Sequence, residues 1–410
     1  MALVKEKNAK VLRTLVDEEK ALPAGKEKLK RDLVEAAKDR QKTMLALLEK
    51  NPKAVLDNRL TKQDRARLPA EAREYVEDDA SLTGQFSILH IDSLKHQDSK
   101  YEYFVRTDDK KETKLHFTDG KVPSTQAGRK ISTTGLQLAA NLILNGDSQS
   151  RQFNQLEPNA QLSVTGAKKV AVILLNFTDN QARPASVEEI RQQVFTGDQS
   201  VNKYYQENSY GQLSLVGANH SAGDIFGWYT IATRQGDGCA YNSWNISARA
   251  EALKDGFVAS NYDTVFIVFP YTSLCNWGGV GDIGGNRIWV NYGLINSYVI
   301  STFAHEFGHN LGLYHAGSAT CNDNGQNTTS QGDCHLRDEF GDVFDVMGRS
   351  GKQTHFGASA KDYLGWLGES LLVVEPSSSA RSLVLSPIEQ KVAGKISAVK
   401  IPYLPGDGDP

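Results

Sequence analysis

Cysteine is missing from the first 238 residues of this 410-residue chain. The four that follow, Cys239, Cys275, Cys321 and Cys334, form no CxxC pair, which excludes a zinc knuckle and a thioredoxin-like redox site. No apolar run approaches the ~18 residues needed to span a bilayer, so a soluble chain with no membrane span is expected. The formal net charge of −3 lacks the basic excess of nucleic-acid binders. The opening residues MALVKEKNAK lack the apolar core of a secretory signal. The protein is therefore either intracellular or secreted with its signal peptide already removed. Four cysteines confined to one region fit two disulfides and an oxidising compartment, so a secreted, extracellular protein is expected. Of the three possible connectivities, Cys321–Cys334 and Cys239–Cys275 are the pairs expected.

Composition divides what is there. Residues 1–80 are rich in Lys, Arg, Asp and Glu, hold one glycine, Gly25, and no tryptophan. Leu29, Leu33, Ala36, Ala37, Met44, Leu47 and Leu48 recur at helical spacing, so 26–50 reads as an amphipathic helix. Asn51-Pro52 stops it, and Pro52 suits the first turn of the next helix. From about residue 81 to 145 the pattern turns to short β-type runs (GQFSILHI, YEYFVRT, TKLHFT, LQLAANLIL) separated by turn signals. Residues 146–166 are polar and unpatterned and read as a linker. Residues 167–370 begin with the apolar strand KKVAVILLNF, suited to a sheet interior. They continue with a helical stretch over 186–208, a strand after Gly211, a buried strand over 262–271 and a shorter one, RIWVNYG, that reads as an edge. All five tryptophans fall here, and an α/β domain large enough for a sizeable core is implied. The tail 371–410 alternates apolar and polar residues and reads as a β segment. The fold class expected is α+β and multidomain.

The stretch NSYVISTFAHEFGHNLGLYH carries the chemistry. Asn296 or Ser297 would cap a helix in which Val299, Phe303 and Phe307 form an apolar stripe. Residues four apart lie about 40° apart around a helix, so His305 and His309 project from one face. Two imidazoles one turn apart suit two corners of a zinc tetrahedron. Glu306 points beside that metal, where a carboxylate can take a proton from the attacking water. His315 lies about 240° further round than His309, so the chain must leave the helix, and Gly312 permits the left-handed turn this needs. Three histidines with the fourth position open match a catalytic zinc centre. Downstream, DVFDVMGRS places Met347 in a tight turn.

HExxHxxGxxH followed by a methionine turn resembles the metzincin metallopeptidases. Within them the chain is similar to the gametolysin family, through HEFGHNLGLYHAGS, DVMG, YYQENSYGQLSL and HFGASAKDYLGWL. The likeness covers roughly 166–370, with the pappalysin-like metzincins as near neighbours. Some algal relatives carry Gln at the first histidine, where this chain keeps His305. Astacin-like relatives place a tyrosine ligand two residues after the methionine, where this chain has Arg349. The resemblance implies a metzincin-type catalytic domain with a mixed sheet and a zinc-binding helix, made as a secreted zymogen. Residues 1 to about 165 would then be an intramolecular inhibitor, a helical part followed by a small β part. A prosegment cysteine cannot silence the zinc, since none exists before Cys239. An Asp or Glu in its place, or steric blockage, is left open.

The function expected is a zinc endopeptidase acting on protein or peptide substrates, with Glu306 as general base. RIWVNYG would be the strand that holds the substrate, and His355 is a candidate cleft residue. Asp323, Asp333, Asp338, Asp342 and Asp345 in the insert 321–345 could bind calcium, but the spacing matches no EF-hand and a solvated loop is the plainer expectation. The rival from another class is a non-catalytic secreted binding or adhesion protein with a structural zinc. Glu306 speaks against it, because a structural site has no use for a carboxylate that does not ligate.

Overall fold

A computed structural model of the chain describes residues 2–93, 99–109, 111–120, 122, 127–145, 154–157, 163–293, 299–323, 326–328, 333–349, 354–374 and 382–401. The expected helix caps Asn296 and Ser297, Arg151 and most of the 146–166 linker lie outside these residues. So do 375–381 and 402–410 of the expected β tail. The chain forms two compact units, Met1–Ile88 with Glu102–Asn159, and Leu89–Tyr101 with Ala160–Pro410. Among the described residues no helix is long and apolar enough to cross a membrane.

The first unit opens with helices α1 (Ala2–Lys20), α2 (Pro23–Leu48), α3 (Pro52–Asp57), α4 (Lys62–Arg67) and α5 (Ala70–Arg73). Asn51 caps α3 by accepting from the Ala54 amide, as its position before Pro52 suggests. Along α2 the buried residues Leu33, Ala36, Ala37, Arg40, Met44 and Leu48 make one stripe at helical period. Strands β1 (Asp78–Ser93), β2 (Lys100–Arg106), β3 (Glu112–Phe117), β4 (Lys130–Leu138), β5 (Asn141–Leu144) and β6 (Asn154–Glu157) follow. LQLAANLIL is two strands, because the chain reverses at Ala139, which takes a positive φ of 51°. The order β1-β2-β3-β5-β4, with Asp78–Gln85 of β1 pairing back onto β4, closes a barrel. Leu136, Leu138 and Ile143 share a core with Val4, Met44, Leu48 and Val55 of the helices.

An ion pair sits inside this unit. Arg40 and Glu77 are both fully buried and form a bidentate pair at 2.6 and 2.9 Å. The Arg40 Nε also donates to Asn8 at 2.6 Å. Removing one partner of such a pair leaves an uncompensated buried charge at a cost of about 3–5 kcal/mol. Arg40→Ala is expected to lower the unfolding free energy, read from urea denaturation followed by far-UV circular dichroism, by that amount, and an unchanged unfolding curve would refute it.

The second unit is built on β7 (Gly166–Phe177), β8 (Leu213–Val216), β9 (Asp224–Ile231), β10 (Thr264–Pro270), β11 (Trp277–Ile283) and β12 (Arg287–Tyr292). Its order is β8-β7-β10-β12-β11, with β9 beside β7. All these pairings are parallel except β11–β12, so the sheet is mixed. On its far side β11 hydrogen-bonds to β1, whose residues Leu89–Ser93 are counted in this unit. Helices α6 (Val187–Arg191) and α7 (Val201–Asn208), with a π-helical turn over Gln192–Thr196, fill the stretch expected to be helical. Then come α8 (Tyr241–Lys254), α9 (Val299–Asn310) and α10 (Ala358–Tyr363). Every residue of β10 is buried, as a strand covered on both faces requires. One face packs Phe266 and Val268 against Phe303 and Phe307 of α9. On the other, Phe269 and Phe177 meet Trp244 of α8.

RIWVNYG is not an edge. Strand β12 lies between β10 and β11, and all six of its residues are buried. Its polar residues look suited to solvent but are consumed internally. Arg287 pairs with Asp282 at 3.0 Å, and Asn291 donates to the carbonyls of Thr272, Cys275 and Trp277. The insert 321–345 is also more than a loop, since β13 (Ser318–Asp323), β14 (Gln326–Thr328) and β15 (Asp333–Asp338) make a small sheet. Cys321 and Cys334 face each other across β13 and β15 and are bonded, and Cys239 is bonded to Cys275. In the tail, β16 (Leu371–Val373) pairs in parallel with β17 (Ala398–Lys400).

Candidate metal centre

Helix α9 is held in place before it holds anything. Phe303, Phe307 and Leu311 are wholly buried against the sheet, and Tyr205 donates to the Ala304 carbonyl at 2.6 Å. At its C-terminus Asn310 donates to the carbonyls of Asp282 and Arg287. Gly312 takes φ 96°, its amide donates to the His309 carbonyl, and the Leu313 amide reaches back to the Gly308 carbonyl. This is a Schellman closure, which favours glycine because a Cβ is penalised at positive φ. It redirects the chain so that His315 returns toward the helix.

The three histidines converge. His305 Nε2 and His315 Nε2 are 3.2 Å apart. Zinc at ~2.0–2.1 Å from each nitrogen would set tetrahedral ligands about 3.3 Å apart. Each outer nitrogen is occupied. His305 Nδ1 donates to the Val346 carbonyl at 2.7 Å, His309 Nδ1 to the Leu313 carbonyl at 2.8 Å, and His315 Nδ1 to Glu339 at 3.2 Å. In the neutral tautomer that carries its proton on Nδ1, each Nε2 lone pair turns inward toward the other two rings, the arrangement metal-ligating histidines adopt. Burial, then the charge of His305 beside it, drives the His309 pKa well down, which favours the neutral form that ligates. His309 Nε2 and Glu306 Oε2 are buried with no hydrogen-bond partner among the described residues. A donor set of this kind fits a divalent zinc ion. Grouped by distance, the residues able to share a metal are His90, Asp92, His309 and His315, and Asp92, His305 and Glu306.

Glu306 lies against β11, where a Cβ on Gly279 would collide with its carboxylate and one on Gly281 with His309. Only glycine lets the strand come this close. Burial, then the neighbouring Asp92, pushes the Glu306 carboxyl well above its ordinary range.

Met347 lies below the helix. Its sulfur fills the space a Cβ on Gly308 would need, and its turn supplies the carbonyl that orients His305 through Val346. Asp345 ties the turn down by accepting from the amides of Met347 and Gly357. Asp342 accepts from the Phe344 amide, and Asp338 from the Phe340 amide and from Arg349. These carboxylates are committed to backbone and arginine donors and gather into no ligand group among the described residues, so the calcium expectation finds no site. His355 has its own partners. It pairs with Glu207 at 3.0 Å and packs edge-on near Tyr204.

Three contributors escaped the sequence reading: His90, Asp92 and Glu339. Asp92 Oδ2 lies 2.9 Å from His305 Nε2 and 4.0 Å from His309 Nε2, and Oδ1 lies 3.0 Å from His315 Nε2. His90 bonds Asp92 through Nδ1 and Glu339 through Nε2. Burial opposes charge on Asp92, yet His305, His315 and His90 around it hold its carboxyl well below the usual range. Burial likewise opposes charge on His90, but Asp92 and Glu339 raise its pKa to about 9. One signal was available in HID, which sets His and Asp two apart in an apolar strand, hence on one face.

Residues 169–368 match the family model described as gametolysin peptidase M11. Among solved structures, the archaemetzincin of Methanopyrus kandleri is similar over 48% of this chain and 94% of its own, at 13% identity and a TM-score of 0.27. No curated protein matches. The family is a metallopeptidase family, and His305, Glu306, His309, His315 and Glu339 lie inside the matched residues, whereas His90 and Asp92 lie outside them. Over residues 169–368 the second unit is thus similar to the gametolysin-type metallopeptidases.

Proposed function

We propose that this chain is a secreted, zinc-dependent endopeptidase of the metzincin type, made as a zymogen. The observation that carries the proposal is the pairing of two features. Three Nε2 atoms converge with every outer nitrogen bonded, and a fourth buried group, Glu306, stands beside them with an unpartnered oxygen. His305, His309 and His315 would hold zinc, which when bound polarises a carbonyl and lowers the pKa of water toward ~7. Glu306 takes the proton of the attacking water and returns it to the leaving amine. The glycines of β11 keep its carboxylate within a dry wall, where a single proton transfer is not lost to solvent. Two disulfides support an extracellular setting.

Residues 1 to about 165 act as the inhibitory prosegment in this proposal, with 167–370 as the catalytic domain. Activity is expected after cleavage within 146–166, Arg151 being the candidate for a trypsin-like activator in a polar stretch of the sort proteases nick. Thiol-reactive mercurials are expected not to activate the chain, because no thiol precedes Cys239. The check is hydrolysis of a denatured protein before and after brief trypsin treatment, with fragment masses. Full activity in the uncut chain, or mercurial activation without cleavage, would remove the zymogen proposal. A cut chain that binds zinc but hydrolyses nothing would favour the binding-protein rival.

A further inference from the structure

We propose that Asp92 is a fourth ligand of the metal centre in the intact chain, an oxygen donor seated where water or a substrate carbonyl would otherwise bind. This rests on the zinc reading above. Both oxygens of one carboxylate face the three ligating nitrogens, Oδ1 toward His315 at 3.0 Å and Oδ2 toward His305 at 2.9 Å and His309 at 4.0 Å. Each Nδ1 is engaged elsewhere, so in its neutral, metal-ligating form each ring turns its Nε2 lone pair toward that carboxylate. Three such nitrogens and one carboxylate around one point are a donor set that a divalent cation fits. Three nitrogens and one oxygen complete a tetrahedron and leave no open position.

The surroundings hold Asp92 there. His90, its side chain wholly buried, grips Oδ1 from behind and reaches Glu339 at 3.2 Å. Glu339 also accepts from Tyr101 at 2.8 Å and orients His315. The same carboxylate therefore anchors both the third histidine and the segment that blocks the metal. Strand β1 hydrogen-bonds to β11, which runs against Glu306 and His309. Alternation along the strand puts His90 and Asp92 on one face. Nearby Phe86, Ile88, Leu89 and Ile91 are buried. An ionised carboxylate in such a strand is costly unless paired, and the metal centre supplies the partner. The centre stays closed until residues 89–93 withdraw.

The test uses the full, uncut chain loaded with Co2+, titrated with acetohydroxamate and followed by visible absorption. If the closed form is 99% populated, apparent affinity for an added metal ligand falls by about 100-fold. Asp92→Ala is therefore expected to bind Co2+ at one equivalent, to bind acetohydroxamate about 100-fold more tightly than wild type, and to hydrolyse a denatured protein without chain cleavage. Asp92→Asn, which keeps the shape, covers the case in which the alanine variant does not fold, and is expected to shift binding in the same direction. Equal acetohydroxamate affinity in metal-loaded wild type and either folded variant would overturn the inference and leave the zinc reading intact. Ready acetohydroxamate uptake by the uncut wild type would overturn it without any variant. A wild-type chain that takes up no Co2+ or Zn2+ would overturn the zinc reading, and this inference with it.

Discussion

Glu306→Gln is expected to leave one zinc bound per chain and to lower peptide hydrolysis by the activated protein by at least about 10²–10⁴-fold, the usual worth of a positioned acid–base group. Glutamine keeps the size of the side chain, so the wall formed by Gly279 and Gly281 is undisturbed. It cannot take up a proton at the pH of the reaction, so the attacking water loses its base and the leaving amine its acid. The loss should fall on kcat with KM little moved, because the group acts in the transition state. Zinc by elemental analysis and kinetics on one preparation make the check. Hydrolysis that survives the substitution would transfer the base role elsewhere. Zinc lost together with activity would make Glu306 a ligand, contrary to its assigned place beside the metal.

His309→Ala is expected to abolish stoichiometric zinc binding and, with it, the stabilisation zinc confers. At zinc a thousandfold above its Kd, that stabilisation is about 4 kcal/mol. Of the three histidines, His309 is fully buried, so no water easily replaces its nitrogen. Two remaining imidazoles hold a metal poorly. Thermal unfolding with and without added zinc should show a large upward shift for wild type and almost none for the variant. A variant melting point that rises with zinc as wild type does would sink the ligand assignment. Since Asp92 faces His309 from 4.0 Å, the experiment is best done on both the uncut and the activated chain.

The features legible in the sequence are those that local geometry encodes. Helical period alone places His305 and His309 on one face, and a glycine three residues on announces the exit that returns His315. The buried strands β7 and β10 are legible from their central apolar runs, because burial on both faces favours apolar residues at successive positions. The helix over α2 is legible from its stripe, although the stripe also hides Arg40, whose charge is matched only by Glu77 far along the chain. The edge expected at β12 shows where local signals mislead. Arg287 and Asn291 resemble surface residues, and only the partners Asp282 and the 272–277 carbonyls convert them to interior ones.

The sequence by itself determined the helix that carries the candidate metal ligands, its glycine exit and the lack of cysteine in residues 1–238. Each of these is a matter of spacing within a few residues or of plain composition. The tertiary structure alone decided what faces the three histidines. Asp92, His90 and Glu339 meet His315 from segments of β1 and the end of the small β13–β15 sheet. Strand pairing is a long-range choice, and no local periodicity states which strand will lie beside β11.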